Sequence, residues 1–139
     1  MSETQQDALQ AEILDLNNQL LDSIEDGDWE RYVALCDPRL TAFEPESRGQ
    51  LVEGMRFHRF YFKLGGGERK HNTTMCAPKV MMLGDDVAVV TYVRLTQFLE
   101  SEGMPLTSRF EETRVWQRQT KADGQPTWRH VHFHRSAAE

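Results

Sequence analysis

Long apolar runs are absent from this sequence, and with them the usual routes into or across a membrane. No stretch approaches the roughly 20 consecutive apolar residues that span a bilayer. Met1 to Gln10 holds no apolar segment of the kind that directs secretion. Cysteine is scarce as well. Cys36 and Cys76 are the only two, too few for the disulfide framework of a small secreted domain, so reduced thiols and a cytoplasmic location are expected. Positive charge is in deficit: 16 Lys and Arg face 22 Asp and Glu, for a formal net charge of -6. That balance argues against nucleic acid or an anionic membrane as the main partner, since phosphate binding needs net or clustered positive charge. Internal repeats and low-complexity tracts are also missing. At 139 residues the chain is expected to be one domain, 1–139, able to bury about two thirds of its unfolded surface.

The residues that are present fall into helices followed by strands. From Asp7 to Glu25 the apolar residues Leu9, Ile13, Leu16, Leu20 and Ile24 recur at steps of three and four, which predicts an amphipathic helix. Residues 1–6 are left as a mobile N-terminus. Asp26-Gly27 stops the helix, and Asp28 caps a second one over Trp29 to Leu35, which ends before Pro38. Short strands are expected at Leu40 to Phe43 and Gln50 to Val52, around a turn at Glu44 to Gly49. A third helix is expected over Glu53 to Leu64, ended by the glycines at 65–67 in a flexible connection. No Lys-Ser or Lys-Thr pair follows that glycine run, so it lacks the signature of a phosphate cradle. Four long strands complete the chain: Lys70 to Leu83, Asp86 to Leu99, Leu106 to Lys121 and Pro126 to Ser136, joined by hairpin turn signals. Helices first and then an antiparallel meander make an α+β domain.

Strand alternation carries the functional signal. It places Phe110, Glu112, Arg114 and Trp116 on one face, Val90, Tyr92, Arg94 and Thr96 on another strand's face, and Val131, Phe133 and Arg135 on a third. Arginine among aromatics on a core face needs an anion, because an unpaired buried charge is far costlier than an apolar replacement. The competing reading puts the arginines on the solvated face, covering apolar neighbours with their stems. The mixed faces favour a polar pocket. Within it, His58, Tyr92 and Glu112 are the candidates for proton transfer, and Glu112 can equally serve to neutralise Arg114. His130, His132 and His134 alternate on one strand and are weak candidates for a metal. Residues two apart lie about 6–7 Å from each other, so at most two would reach one ion easily. Cys36 reads as a small buried hydrophobe rather than a nucleophile. No cofactor is expected.

Ordered motifs then add a resemblance. Cys36-Asp-Pro-Arg-Leu-Thr-Ala-Phe-Glu-Pro-Glu46, Leu51-Val-Glu-Gly-Met55, Phe57-His-Arg-Phe-Tyr-Phe62, Arg94-Leu-Thr-Gln97, Glu111-Glu-Thr-Arg-Val-Trp116 and Val131-His-Phe-His134 resemble the association domain, or hub, of calcium/calmodulin-dependent protein kinase II. The resemblance covers nearly the whole chain. It implies the nuclear transport factor 2-like fold, in which helices cover a strongly bent sheet to form a cone with an internal pocket. It further implies self-association into dimers and rings, and ligand-binding roles for Arg94, Arg114, Arg135 and His58 toward a small carboxylate. On that basis the chain is expected to be a stand-alone scaffold without kinase activity or direct calmodulin binding. Its dimer contact is expected on the outer sheet face, where the histidines sit. The alternative is an enzyme of isomerase, cyclase or dehydratase type using the same pocket. Arg114→Ala is expected to lose carboxylate binding while keeping the fold.

Overall fold

A computed structural model describes residues 2–64, 71–100 and 103–137. The glycine run at 65–67, Lys70 and Ser101, each assigned a role from sequence, lie outside the described residues. Helix α1 runs Glu3–Asp26, four residues ahead of the expected start at Asp7. The extension has a local cause. Ser2 accepts from the Gln5 amide while the Gln5 side chain accepts from the Ser2 amide, a reciprocal cap that satisfies two otherwise orphaned donors. Residues 3–6 are therefore the first turn of α1 rather than a mobile tail. Gly27 ends the helix with φ 66°, a left-handed conformation that glycine adopts without steric cost. Asp28 accepts from the Arg31 amide and caps α2, Trp29–Leu35.

The sheet has six strands in the order β2-β1-β6-β5-β4-β3. These are β1 Cys36–Phe43, β2 Val52–Glu53, β3 His71–Met82, β4 Val87–Leu99, β5 Pro105–Thr120 and β6 Pro126–Ala137. All neighbours are antiparallel except β1 and β6, which run parallel. Strand β1 begins at Cys36, earlier than expected, because Cys36 already pairs with His130 before the ladder breaks across Pro38 and resumes at Thr41. Helix α3, Arg56–Leu64, begins later than expected. Val52 and Glu53 are taken by pairing with β1, and Gly54 turns the chain at φ 81°, its amide donating to the Leu40 carbonyl at 2.7 Å.

The helices pack on the sheet face that carries Ala88, Val90, Tyr92, Trp116 and Phe133, and with Ile13, Leu20, Leu21, Tyr32, Cys36 and Leu40 these form the core. Asn17 is buried in the middle of the α1 stripe, where it accepts from Trp116 Nε1 at 3.0 Å and ties the helix to β5. Among the described residues no helix is long and apolar enough to cross a membrane.

Candidate functional site: an arginine-lined cavity

A cavity of about 360 Å³ lies between the inner sheet face and the helices. Antiparallel register builds its wall. Opposite pairs along β4, β5 and β6 set Arg94 beside Phe110, Val90 beside Arg114, Arg114 beside Phe133 and Glu112 beside Arg135. Arg94, Arg114 and Arg135 all line this one cavity, together with His58 from α3, Tyr32 from α2, and Glu44 and Glu46 from the loop after β1. The solvated-face alternative for the arginines is thereby excluded: Arg114 is 1% exposed and Arg94 9%.

The arginines are held differently. Arg114 sits over the Phe133 ring at 4.4 Å and donates from Nε and Nη2 to Glu112 Oε1 at 3.1 and 3.0 Å. Tyr92 donates to the same oxygen at 2.5 Å and accepts from Arg114 Nε at 2.9 Å, while Arg94 Nη1 reaches Glu112 Oε2 at 3.3 Å. Burial pushes the Glu112 carboxyl up, but Arg114, Arg94 and the Tyr92 hydroxyl outweigh it and hold it at about 2. Arg135 lies over Phe110 at 4.5 Å and grips Glu46 with one amino group against both carboxylate oxygens. The three guanidiniums form a graded series: Arg114 fully committed, Arg94 partly, and Arg135 at the more open end, paired with an acid that sequence reading left in a turn.

Two buried cavity atoms have no partner among the described residues. His58 Nε2 and Arg94 Nε are both without a hydrogen bond among the described residues, and both side chains line the cavity. A buried polar atom left unpaired costs roughly 1–3 kcal/mol, so such atoms mark a place where a ligand or solvent completes the site. Burial, reinforced by Arg114, lowers His58 to about 4. Its 3.6 Å approach to Glu44 Oε1 therefore joins a neutral imidazole to a carboxyl, not an ion pair. Burial also lifts Glu44 to about 7, against the pull of Arg135 4.0 Å away.

The proton-transfer candidates separate on this geometry. His58 lines the cavity, whereas Tyr92 and Glu112 are absent from its lining and spend their polar atoms on the arginines behind the wall. Burial raises Tyr92 to about 12, and a carboxyl held at about 2 is a weak base, so both act as anchors of the arginines. The carboxyl side chains among the residues that line the cavity are Glu25, Glu44 and Glu46.

The histidine row is corrected by a bulge. The β5–β6 ladder shifts between Val115 and Trp116: Val115 pairs with His132, but Trp116 pairs with His130, leaving Val131 as the extra residue. His130 therefore takes the inner position expected for Val131. It is fully buried, with Arg114 Nη1 donating toward its Nε2 at 3.4 Å. That donor leaves the proton on Nδ1, which faces Cys36 Sγ at 3.5 Å. His132 and His134 remain on the outer face, against Phe43. Among the described residues no group of three or more His, Cys, Asp or Glu side chains is arranged to hold a metal. Burial pushes the Cys36 thiol up to about 12, which suits the expected packing role and disfavours a nucleophile.

Comparison with known proteins decides the family. A model of the calcium/calmodulin-dependent protein kinase II association domain matches residues 9–139. The chain belongs to this family. The delta subunit of calcium/calmodulin-dependent protein kinase type II from Oryctolagus cuniculus is 48% identical over 133 residues, which are 94% of this chain and 24% of that protein. The chain thus spans about a quarter of that relative's length. A calcium/calmodulin-dependent protein kinase II hub homology domain from Chlamydomonas reinhardtii is 45% identical with a TM-score of 0.84, covering 94% of this chain and 99% of that one. The association domain of the Caenorhabditis elegans kinase is 43% identical with a TM-score of 0.85, over 94% and 97% of the two chains. Proteins named for nuclear transport factor 2 and for ketosteroid isomerase, each 20% identical, share the fold alone.

Within this association domain the pocket acids are what sequence reading missed. Glu44 and Glu46 flank Pro45, in a single turn of 3-10 helix, Pro45–Ser47, that brings both carboxylates to the mouth of the cavity. A signal was available: three inward arginines against one inward glutamate leave a charge deficit that further acids must meet.

Proposed function

We propose that this association domain is a self-associating scaffold whose cavity binds a small carboxylate. One observation carries the ligand half of this reading. Three guanidiniums from three adjacent strands face one cavity, and the donor Arg94 Nε and the polar atom His58 Nε2 are buried there unpaired. A carboxylate accepts from several N–H donors at once and is the anion that such a set of guanidiniums suits. Arg135 is the adjustable member, able to trade the Glu46 carboxylate for a ligand's.

Arg135→Gln tests this without disturbing the buried network. Isothermal titration of the wild type with acetate, succinate and benzoate is expected to show saturable binding, weakened at least about tenfold in the variant, as befits a lost charge-assisted hydrogen bond. Equal affinities in the two proteins, or no binding of any of the three acids to the wild type, would count against the pocket.

Self-association is supported by family membership and by the outer face. No helix covers that face among the described residues, and register lays Thr41, His132, Val115, Val89 and Met81 across it in one row. Sheets with one open face need a polar coat or a partner, and Met81 is 51% exposed here. Light scattering after size exclusion is expected to give at least a dimer at micromolar concentration; a monomer removes the scaffold reading.

One observation favours a second reading. Glu44 and His58 face the cavity 3.6 Å apart, and Glu44 is poised at about 7, where a general base works best. This pair would remove a proton from a carbon acid held by the guanidiniums. Solvent deuterium appearing next to the carbonyl of a bound keto acid in the wild type, and not in Glu44→Gln, supports chemistry; no exchange in either leaves binding alone.

A further inference from the structure

Two guanidiniums in this cavity are open to a ligand, each in a different way. Arg94 gives one amino group, Nη1, to Glu112 Oε2 at 3.3 Å. Its Nε has no partner, and its Nη2 makes no hydrogen bond among the described residues. The Nε and Nη2 edge of the planar fork is therefore unmatched, and that edge takes a carboxylate with two parallel bonds. Arg135 stands on the other side of Phe110. Register pairs Phe110 with Arg94, and the Arg135 guanidinium stacks on the Phe110 ring at 4.5 Å.

Arg135 already holds a carboxylate of the chain itself. Both Glu46 oxygens meet one of its amino groups, as those of a bound acid would. The Glu46 side chain is 33% exposed against 9% for Glu44, so it can turn out to water without crossing the core. One fork without an acceptor and one held by an exchangeable acid make two seats for carboxylates. Charge balance agrees. Arg114 spends Nε and Nη2 on Glu112, and Glu44, lifted to about 7 by burial, is largely uncharged just below neutrality. Glu25, the remaining acid of the lining, accepts from Thr73 Oγ1 at 3.0 Å. With Glu46 turned away, Arg94 and Arg135 leave positive charge at both seats for a ligand to match.

We propose that the ligand of this cavity is a short dicarboxylate, one end gripped side-on by Arg94 and the other taking the place of Glu46 on Arg135; this rests on the carboxylate reading above. Tethering favours one diacid over two separate acids. Once the first carboxylate is seated, the second is held near its own seat at an effective concentration on the order of millimolar. Only β5 separates the strands that bear the two arginines, so their backbones lie about 10 Å apart and the inward side chains leave a span of a few methylenes.

Matched ligands test this on the intact chain at pH 7. Malonate, succinate, glutarate and adipate are titrated calorimetrically beside their monoamides, which keep the length and one carboxylate but lose the second charge. The best diacid is expected to bind at least about tenfold tighter than its monoamide, the worth of one charge-assisted hydrogen bond. Arg94→Gln, with unchanged circular dichroism, is expected to erase that advantage. Glu46→Gln removes the internal competitor and is expected to strengthen the diacid about fivefold or more, while its monoamide stays within about twofold. Diacids no tighter than their monoamides at every length, or an advantage that survives Arg94→Gln, overturn the second seat and leave the one-carboxylate site standing. A Glu46→Gln protein that binds the diacid no better overturns the exchange at Arg135. Failure of acetate and of every diacid to bind the wild type fails the carboxylate reading itself, a different outcome from all of these.

Discussion

Arg114→Ala is expected to lower the free energy of unfolding by about 3–5 kcal/mol, the loss that follows from stranding a buried charge. The expectation that this variant keeps its fold meets a stability cost in this geometry. Arg114 is 1% exposed, and the Glu112 side chain that accepts from it is fully buried. Removing the guanidinium leaves a carboxylate with only Tyr92 and one long contact from Arg94. It also takes the donor from His130 Nε2 and the cation from the face of Phe133. The pair's own net contribution is a separate quantity, since desolvating two charges offsets much of their attraction. Arg114→Met combined with Glu112→Gln is therefore expected to recover a large part of the loss, because no uncompensated carboxylate remains. Urea unfolding at one fixed protomer concentration checks both, since self-association shifts apparent stability by mass action. A single-variant loss under about 1 kcal/mol, or a double variant that is simply additive, would show that the network is not the buried keystone described.

The same network explains how much of this molecule could be read without coordinates. Alternation placed Arg94, Arg114 and Glu112 on the inner face because β4 and β5 pair without a break in register, from Val87 opposite Gln117 to Leu99 opposite Pro105. In β6 the alternation rule failed at one point. A bulge adds a residue without changing the pattern of side-chain types, and Arg129-His-Val-His-Phe133 reads equally well with either parity. Only pairing against β5, which resumes with His130 opposite Trp116, reveals which histidine turns inward. Asn17 was legible in principle: a polar residue between Ile13 and Leu21 at steps of four, in an otherwise apolar stripe, asks for a buried partner, and Trp116 is that partner. Glu44 and Glu46 were not legible from periodicity, since a single turn of 3-10 helix has too few residues to show one. Their place follows from tertiary contact with Arg135 and His58.

The stability of the wild type relative to Glu44→Gln is expected to rise by about 1 kcal/mol as pH falls from 8 to 6. Burial lifts Glu44 from 4.5 to about 7 in the fold. Between those two values the native state holds a proton that the unfolded chain has released. The associated stability is fully present below 4.5 and is lost as pH rises through 7. His58 works in the opposite direction. Its folded value of about 4 lies below the ordinary 6.5, so its contribution is complete above 6.5 and is lost as pH falls through 4. His130, fully buried and held well below its ordinary value by burial and by Arg114, slopes the same way as His58, so Glu44 is isolated by comparing the wild type with Glu44→Gln. Thermal unfolding in buffers from pH 5 to 8 measures this, and a Glu44→Gln curve parallel to that of the wild type would refute the assignment. The proposed ligand site inherits the same proton. When Glu44 is neutral, the negative charge near Arg135 is reduced to that of Glu46, so an added carboxylate meets less competition for the guanidinium. Carboxylate affinity should therefore strengthen from pH 8 to 6.5 in the wild type and stay level in Glu44→Gln, as long as the acid chosen remains ionised throughout.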